Sequence, residues 1–366
     1  MSRKLVALPG DGIGVEVTRA ALQVFRECAA RHQLDVEVEE FKAGGQAIEE
    51  YGEPMPDFVV EACKSSRAVL LGALGDSKYD SSPAHLRPER GLLRIRKELG
   101  LYANLRPIKC YSALLNASPL KPDRIDGVDL LIVRELTGGI YFGEPRGLED
   151  RSEGRAGINS EVYFDYEVER ISKTAFEASR KRSRQVTSVD KANVLESSQL
   201  WRKVVQEVGR NYPDVSLRHM LVDNCAMQLI ARPREFDVLL TTNMFGDILS
   251  DEAAMLTGSI GMLPSASLGA FASSGEKGSS GVMGLYEPVH GTAPDIAGQD
   301  KANPLAAIAS LALLFRYSFD RNDIAHQIEA AIEHTLNAGF RTADISQDGG
   351  AVLGTKAMTE KVLEAI

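Results

Sequence analysis

Two aspartates four residues apart, Asp247 and Asp251, are the residues whose type and spacing most directly indicate chemistry. A helix that begins just after Gly246 places both carboxylates on one face, one turn apart, where like charges repel each other. A divalent cation turns that repulsion into attraction, and hard oxygen ligands suit Mg²⁺ or Mn²⁺. The alternative is a solvated acidic helix start, because acidic residues in a first turn interact favourably with the helix dipole.

A lysine and a tyrosine offer groups that move protons. Lys191 follows a strand-like run at residues 185–190, and a lysine that loses water at the end of an apolar strand becomes a useful general base. Tyr141 is a proton donor of suitable strength for an enolate. The alternative for Tyr141 is a packing role, since a lone buried tyrosine usually packs and makes one hydrogen bond.

Arginines at four positions form a candidate anion-binding set: Arg94, Arg96, Arg106 and Arg134. A guanidinium matches a carboxylate with two parallel hydrogen bonds, so two or three that converge hold a dicarboxylate. The alternative is that they are exposed helix charges, and this is our interpretation of Arg94.

Composition limits the classes of function. The 366 residues exceed the usual size of one hydrophobic core, so we expect two lobes. A formal net charge of −9 without a long basic tract disfavours nucleic acid as a partner. The most apolar run, 305–315, is too short to span a bilayer and is typical of a buried helix. The N-terminal residues show no apolar signal region and the four cysteines lack zinc-ligand spacing, so we expect a cytoplasmic protein with reduced thiols.

The N-terminal part of the chain alternates strand and helix. Strands are predicted at 4–8, 35–41 and 69–73, with a helix at 15–33, which indicates an α/β sheet. The glycine loop 10–14 lacks the spacing of the dinucleotide fingerprint. We interpret it as a turn that lets backbone approach a ligand, and not as a Rossmann site.

Several later strand-like runs end in polar residues, an arrangement typical of an active-site rim. These runs are 185–190 before Lys191, 217–222 before Asp223 and 238–242 before Asn243; a separate strand-like run, 128–133, precedes Arg134 and Glu135. Other predicted features are strand character at 162–165, a helix at 167–180, a mobile Gly/Ser-rich loop at 273–281 and a tail helix with Ile324, Ile328, Ile332 and Leu336 on one stripe.

Runs spread over nearly the whole chain resemble the β-decarboxylating dehydrogenases that act on 2-hydroxy acids, the isocitrate/isopropylmalate dehydrogenase family. They are residues 8–14, 103–107, 134–143, 190–193, 243–252 and 287–298. The resemblance implies an α/β, isopropylmalate-dehydrogenase-like two-domain fold with a mixed sheet flanked by helices, not a Rossmann fold. It further implies a cofactor-binding domain at 1–101 and 258–366. The substrate, metal and dimerisation domain is at 102–257, with an intersubunit arm around Val162.

The resemblance also implies roles for individual side chains. Arg96, Arg106 and Arg134 bind the carboxylates of a malate. Tyr141 and Lys191 handle protons, and Lys191 reaches across from the partner subunit. Asp223, also contributed by the partner, joins Asp247 and Asp251 around Mg²⁺ or Mn²⁺. The active site is therefore expected to require a homodimer.

Substrate choice within the family follows the segment 88–93. Glu89, Leu92 and Leu93 match the members that act on isopropylmalate. Leucines hold an isopropyl group by burial, and a glutamate repels the third carboxylate of isocitrate. Val194 is expected to close the apolar pocket from the other subunit.

Cofactor choice follows Asp295 and Ile296, which resemble the pair in NAD-using members. Asp295 can accept hydrogen bonds from the adenosine ribose and repel a 2′-phosphate, whereas NADP-using members carry a lysine and a tyrosine. By itself, His290 is more typical of a structural histidine. The cofactor contacts expected from the resemblance are Ile13, Glu287, His290, Gly291, Ala293, Asp295, Ile296 and Asn303.

The function expected from the resemblance is NAD-dependent oxidative decarboxylation of 3-isopropylmalate to 4-methyl-2-oxopentanoate, in leucine biosynthesis. The alternatives are a sibling specificity for tartrate or D-malate, homoisocitrate or isocitrate, and a non-catalytic regulatory subunit. Such a subunit is expected to lack catalytic groups, and this chain retains Lys191, Tyr141 and all three aspartates. The run 271–284 is longer than expected, and we interpret it as a solvent loop without a catalytic role.

Overall fold

A computed structural model describes residues 4–270, 281–346 and 352–366, so most of the predicted Gly/Ser-rich loop lies outside the described residues. The strands are β1 Lys4–Gly10, β2 Glu37–Glu40, β3 Ala68–Ala73, β4 Ala103–Lys109, β5 Asp129–Glu135, β6 Arg146–Arg151, β7 Gly154–Asn159, β8 Gln185–Asp190, β9 Ser216–Leu221, β10 Val238–Thr241, β11 Pro264–Leu268 and β12 Gly284–Pro288. The helices are α1 Gly14–Arg31, α2 Gly45–Tyr51, α3 Asp57–Ser65, α4 Pro88–Glu98, α5 Pro122–Ile125, α6 Asp165–Arg180, α7 Glu196–Gly209, α8 Val222–Ala231, α9 Asn243–Ala254, α10 Leu305–Tyr317, α11 Asn322–Asn337 and α12 Thr355–Ala365.

The first compact unit comprises Met1–Leu101, Tyr111–Pro119 and Thr257–Ile366. Its strands lie in the order β2-β1-β3-β12-β11, and all neighbours are parallel except β11, which is antiparallel to β12. Strand β3 is buried along its whole length, as expected for a strand covered on both faces. Helix α10 is buried over nearly all of its circumference, and the predicted apolar stripe of α11 is buried.

The second compact unit comprises Tyr102–Cys110 and Leu120–Leu256. Its strands lie in the order β4-β5-β10-β8-β9, with β4 antiparallel to β5 and the other neighbours parallel. The carboxyl ends of parallel strands meet at one edge of a sheet, and ligands bind at such edges. The residues that follow β5, β8, β9 and β10 therefore share one edge.

Both units are mixed α/β structures, as predicted. The predicted domains, 1–101 with 258–366 and 102–257, differ from the observed units mainly in the placement of residues 111–119. The assignment of cofactor binding to one domain and of substrate binding to the other stays a prediction.

The strand predicted at 162–165 is wrong, because those residues form no strand and α6 begins at Asp165. The polypeptide instead forms an antiparallel hairpin of β6 and β7 just before this point. Its side chains are almost all exposed, including Leu148. A ribbon with no buried face has no alternation of apolar and polar residues, so the pattern gave no signal for it.

The predicted start of α9 is also wrong, because the helix begins at Asn243 and Gly246 lies inside it. A Cβ on Gly246 would lie 2.3 Å from the Thr241 hydroxyl oxygen and 2.8 Å from the Arg134 Cβ, so glycine is needed for this close approach. The first turn of α9 holds no acidic residue. Asp247 and Asp251 therefore lie in later turns, where the helix dipole no longer explains them.

The four cysteines, Cys28, Cys63, Cys110 and Cys225, are free and buried. Burial raises the pKa of Cys28 to about 11 and the pKa of each of the others to about 12. Such thiols are unreactive packing residues. Over the parts of the chain that the structure describes, no helix is long and apolar enough to cross a membrane.

Candidate active site

Arg134 is the centre of a buried cluster in the second unit. It is the penultimate residue of β5 and only 2% exposed. The side-chain oxygen of Asn243 accepts hydrogen bonds from its Nε at 3.1 Å and its Nη2 at 2.8 Å. Its Nη1 donates to Oδ1 of Asp247. Asn243 thus fixes one edge of the guanidinium, and another edge faces the acidic helix α9, which carries Asp247 and Asp251.

Arg106 lies on β4 and approaches the same acidic helix. Its Nε donates to the Asn104 side-chain oxygen at 2.8 Å, and its Nη1 donates to the Ser250 hydroxyl. Its guanidinium lies 3.4 Å from Asp247 and 3.6 Å from Asp251. The structure therefore brings two of the predicted substrate-binding arginines to the predicted pair of metal ligands.

Tyr141 completes this cluster from the segment after β5. Its hydroxyl donates to Oδ2 of Asp247 at 3.0 Å, and the Arg134 guanidinium lies 5.8 Å from its ring centre. Burial raises the pKa of Tyr141, and the Asp247 carboxylate raises it further. The phenol therefore holds its proton at neutral pH, as a proton donor must.

The two aspartates of α9 differ in their electrostatic environment. Burial by itself raises the pKa of Asp247, but Arg134 and Arg106 outweigh it and hold that pKa below its usual value. Burial, opposed by Arg106, raises the pKa of Asp251. Asp247 is thus neutralised within the chain to a greater extent than Asp251, whose negative charge remains available to a cation.

Lys191 and Asp223 form a pair of their own. Lys191 follows β8 and Asp223 lies in the first turn of α8, and their side chains form an ion pair of 3.0 Å. The hydrogen bond from Lys191 lowers the pKa of Asp223. The Lys191 backbone N–H donates to the Ser198 hydroxyl at 3.1 Å, and the Asp190 carboxylate accepts from the Ala192 N–H at 3.0 Å. This turn is therefore fixed by side-chain acceptors.

The three predicted metal ligands do not meet within one chain. Among the described residues, no group of three or more histidine, cysteine, aspartate or glutamate side chains is arranged to hold a metal ion. Asp247 and Asp251 lie together on α9, whereas Asp223 is held by Lys191. Two carboxylates one turn apart are hard oxygen donors of the kind that Mg²⁺ and Mn²⁺ prefer, and they leave the remaining coordination positions to other groups.

In the first unit, Arg96 is buried against a carboxylate. Its Nη2 lies 2.6 Å from Oε1 of Glu287, and both side chains are about nine-tenths buried. The sequence had assigned Arg96 to the substrate and Glu287 to the cofactor, and this pair joins the two assignments. On the same helix, Glu89 is exposed and Leu92 and Leu93 are half-buried, with Leu92 packed against the core.

Most of the predicted cofactor residues of the first unit lie on the turn at residues 290–296 or beside it. The Ile13 N–H donates to the Thr292 carbonyl at 2.8 Å, which ties the glycine loop to the turn. His290 is 8% exposed and its Nδ1 lies 2.8 Å from the Gly291 carbonyl oxygen. Its Nε2 is buried without a partner among the described residues, and because Nδ1 donates to a carbonyl in the neutral ring, Nε2 can accept from a ligand donor. Burial lowers the pKa of His290, which keeps the ring neutral.

Other predicted residues on this turn are accessible or serve as supports. Gly291 and Asp295 are exposed, while Ala293 and Ile296 are half-buried. Asn303 is buried, donating to Asp344 at 3.0 Å and accepting from the Leu305 N–H at 3.0 Å. In the second unit, Val194 is 61% exposed.

Sequence reasoning missed the residues that hold the site together. Asn243, Ser250 and Glu135 contact the arginines or the Tyr141 segment, and only their neighbours were assigned roles. A weak signal for Asn243 was its position directly after a strand, because other strands of this unit are also followed by polar residues.

A family model described as isocitrate/isopropylmalate dehydrogenase matches residues 4–362. The chain belongs to this family. It is 53% identical to the 3-isopropylmalate dehydrogenase of Geobacillus kaustophilus, with 99% of this chain and 95% of the relative covered. It is 55% identical to that of Priestia megaterium, with 100% and 96% covered. The crystal structure of isocitrate dehydrogenase from Methylococcus capsulatus matches with a TM-score of 0.85 and 32% identity, covering 100% of this chain and 99% of that chain.

Asp251→Asn is expected to weaken Mn²⁺ binding by at least about tenfold, because it removes a charge that the arginines only partly compensate. Isothermal titration with MnCl₂ measures the dissociation constant directly. Glu252→Gln is the matched control, because Glu252 is the adjacent carboxylate and points about 100° away around the helix. An unchanged affinity in Asp251→Asn removes Asp251 from the set of metal ligands.

Proposed function

We propose that this family member catalyses the NAD-dependent oxidative decarboxylation of 3-isopropylmalate, with a divalent metal, in leucine biosynthesis. The products are 4-methyl-2-oxopentanoate, CO₂ and NADH. The observation that carries the proposal is the single cluster formed by Arg106, Arg134, Tyr141, Asp247 and Asp251. Full-length relatives more than 50% identical bear the name of this activity.

The substrate is held by charge at one end and by burial at the other. Arg106 and Arg134 are fixed by Asn104, Ser250 and Asn243, so their guanidinium groups are oriented before a malate carboxylate arrives. The family resemblance assigns Arg96 to a substrate carboxylate. Leu92 and Leu93 receive the isopropyl group, and Glu89 disfavours a third carboxylate.

The metal is held by Asp247 and Asp251 of one subunit together with Asp223 of its partner in a homodimer. Mg²⁺ or Mn²⁺ bound there supplies Lewis-acid stabilisation of the negative charge that develops on the substrate oxygen. In one chain Asp223 is already next to Lys191, so both residues reach a partner's site together. A two-fold interface gives this exchange in both directions.

An exposed apolar surface on α8 and α9 supports the homodimer. Met227 and Ile230 on α8 and Ile248 on α9 are 62%, 38% and 59% exposed. Asp223 lies on α8 and the other two aspartates lie on α9. Helices α8 and α9 contact each other, and exposed apolar side chains on neighbouring helices favour burial against a protein, which we propose is a second copy of the chain. The exposed β6–β7 hairpin is a candidate for the intersubunit arm.

Protons are moved by Lys191 and Tyr141. Lys191 of the partner subunit accepts the proton of the C2 hydroxyl, which gives a 2-oxo acid when the hydride leaves C2. The β-carboxylate then departs as CO₂, and the Tyr141 hydroxyl donates a proton to the carbon that carried it. The guanidinium groups of Arg106 and Arg134 hold the carboxylate on C2, which is not lost, during both steps.

The cofactor is NAD, bound by the first unit. NAD⁺ supplies the hydride acceptor. Asp295 is exposed on the same turn as His290, so it is accessible to the ribose hydroxyls of the adenosine half. A negative charge at this position disfavours the 2′-phosphate of NADP⁺.

The test is a substrate panel followed by NADH or NADPH absorbance. Turnover is expected with 3-isopropylmalate, NAD⁺ and Mn²⁺, and EDTA is expected to abolish it. Tartrate, D-malate, homoisocitrate and isocitrate are the comparison substrates, with NAD⁺ and NADP⁺ in parallel. Preference for any of these four contradicts the proposed specificity. No turnover with any substrate of the panel, 3-isopropylmalate included, supports a non-catalytic subunit.

A further inference from the structure

The segment that carries Tyr141 is short and irregular. Strand β5 ends at Glu135, and residues 136–138 form no helix or strand before a single 3₁₀ turn, Gly139–Tyr141. A segment of this kind has few backbone hydrogen bonds of its own. Its geometry, and with it the position of the Tyr141 hydroxyl, must be fixed by other groups.

Glu135 provides the acceptors for this segment. Its Oε2 accepts from the Gly138 N–H at 2.7 Å and from the Thr137 N–H at 2.9 Å. Its Oε1 accepts from the Thr137 hydroxyl at 2.7 Å, and Arg170 Nη2 lies 3.4 Å away. The side chain is fully buried, although it lies beside a catalytic segment and not in the core of the sheet.

Hydrogen-bond donors surround the Glu135 side chain, while burial and the nearby Glu167 carboxylate favour its neutral form. The Thr137, Gly138 and Arg170 groups that contact its carboxylate oxygens are all hydrogen-bond donors. Burial raises the pKa of Glu135, and the donors from Thr137 and Gly138 oppose that rise. Arg170, whose guanidinium also stacks 4.6 Å from the centre of the Tyr102 ring, compensates the charge.

Two other buried side chains hold the opposite side of the segment. The Asn243 amide donates to the carbonyl oxygens of Leu136 at 3.0 Å and Gly138 at 3.2 Å. The ring of Tyr163 packs on the glycines, and a Cβ on Gly139 would lie 2.5 Å from its hydroxyl oxygen. Glu135 therefore holds the Thr137 and Gly138 N–H groups, and Asn243 holds the Leu136 and Gly138 carbonyl groups. The Leu136 and Gly139 N–H groups donate to the Tyr102 and Val162 carbonyl oxygens, each at 2.9 Å.

We propose that Glu135 is a positioning residue for Tyr141: its carboxylate holds the Thr137–Gly138 turn, and this places the Tyr141 hydroxyl at Asp247. The inference rests on the proposed function, because it assigns Tyr141 a proton-transfer step. In the hydrogen bonds described above, Glu135 contacts neither Arg106 nor Arg134 and no residue of α9. Its effect must therefore pass through the segment.

Glu135→Gln keeps the shape of the side chain but replaces one acceptor oxygen by an NH₂ group that faces N–H donors. We expect kcat for 3-isopropylmalate to fall about 10- to 100-fold, because small misplacement of a catalytic group has effects of this size. KM for the substrate and the Mn²⁺ dissociation constant are expected to stay within about twofold of wild type. If KM and the Mn²⁺ dissociation constant both rise while kcat is unchanged, the proposal is wrong.

Asp237→Asn is the matched control. Asp237 is also a buried carboxylate of the second unit, and it accepts from Arg182 Nε at 2.8 Å and from the Gln185 N–H at 3.2 Å. It has no contact with the Tyr141 segment in these hydrogen bonds. We expect a loss of thermal stability without the selective fall in kcat.

A double-mutant cycle with Tyr141→Phe separates positioning from a general structural effect. If Glu135 acts through the phenol, Glu135→Gln has little further effect on kcat once Tyr141→Phe is present. If the two effects multiply, the proposal is wrong. Should Glu135→Gln fail to fold, Thr137→Val removes one donor to the carboxylate and is expected to show a smaller, equally non-additive fall.

Hydrogen exchange of the peptide over residues 136–143 gives a readout that does not depend on activity. Faster exchange in Glu135→Gln than in wild type and Asp237→Asn supports the hold on the segment, and equal exchange overturns it. If wild type turns over none of the substrates in the panel, the proposed function fails while this comparison still decides whether Glu135 holds the segment.

Discussion

Lys191→Met is expected to lower kcat for 3-isopropylmalate by about 10²- to 10⁴-fold, which is the usual contribution of a general base. Methionine has a similar length but no proton acceptor. The Lys191 side chain is 27% exposed and its ion pair with Asp223 lies at the surface, so we expect the fold to be unchanged. NADH formation at saturating substrate measures the loss, and thermal unfolding checks the fold.

Lys203→Met is the matched control for this variant, because Lys203 is an exposed lysine on α7 in the same unit. Its turnover is expected to equal that of wild type. Turnover close to wild type in Lys191→Met refutes the assignment of Lys191 as the base and transfers that role to another group.

Mixing two inactive variants, Lys191→Met and Asp247→Asn, is expected to restore activity to about a quarter of wild type. In the proposed homodimer each site takes Lys191 and Asp223 from one subunit and Asp247 from the other. A mixed dimer therefore has one site with both substitutions and one site with neither. Asparagine keeps an oxygen for Arg134, so the fold of the second variant is retained.

Co-expression or joint refolding followed by the NADH assay measures the restored activity. Lys191→Met mixed with Asp223→Asn is the control, because both residues belong to the same half of the shared site. Each site of that mixed dimer carries one substitution, so no restoration is expected. If the first mixture stays as inactive as its components, each site is built within one chain and the shared arrangement is wrong.

Much of the site was predictable because its residues follow strands. Lys191 and Asp223 were predicted to lie at an active-site rim because they follow strand-like runs, and they do follow β8 and β9. Parallel strands gather their carboxyl ends at one edge, so a one-dimensional pattern carries information about spatial proximity. The family membership and the mixed α/β fold predicted from the resemblance are confirmed.

The features that could not be predicted depend on contacts between distant residues or on segments without a local sequence pattern. The Arg96–Glu287 pair joins residues 191 positions apart, and neither neighbourhood signals the other. The start of α9 was placed too late because glycine usually weakens a helix, whereas Gly246 is retained for close packing. The β6–β7 hairpin was missed because exposed strands have no apolar alternation.

Gly246 determines how closely α9 can approach Arg134. Any added methyl group meets the stem of Arg134 on one side and the Thr241 hydroxyl on the other. The helix must then back away as a rigid rod, carrying Asp247 and Asp251 with it. The distance between the Arg134 guanidinium and the carboxylates of α9 therefore depends on the absence of a side chain at Gly246.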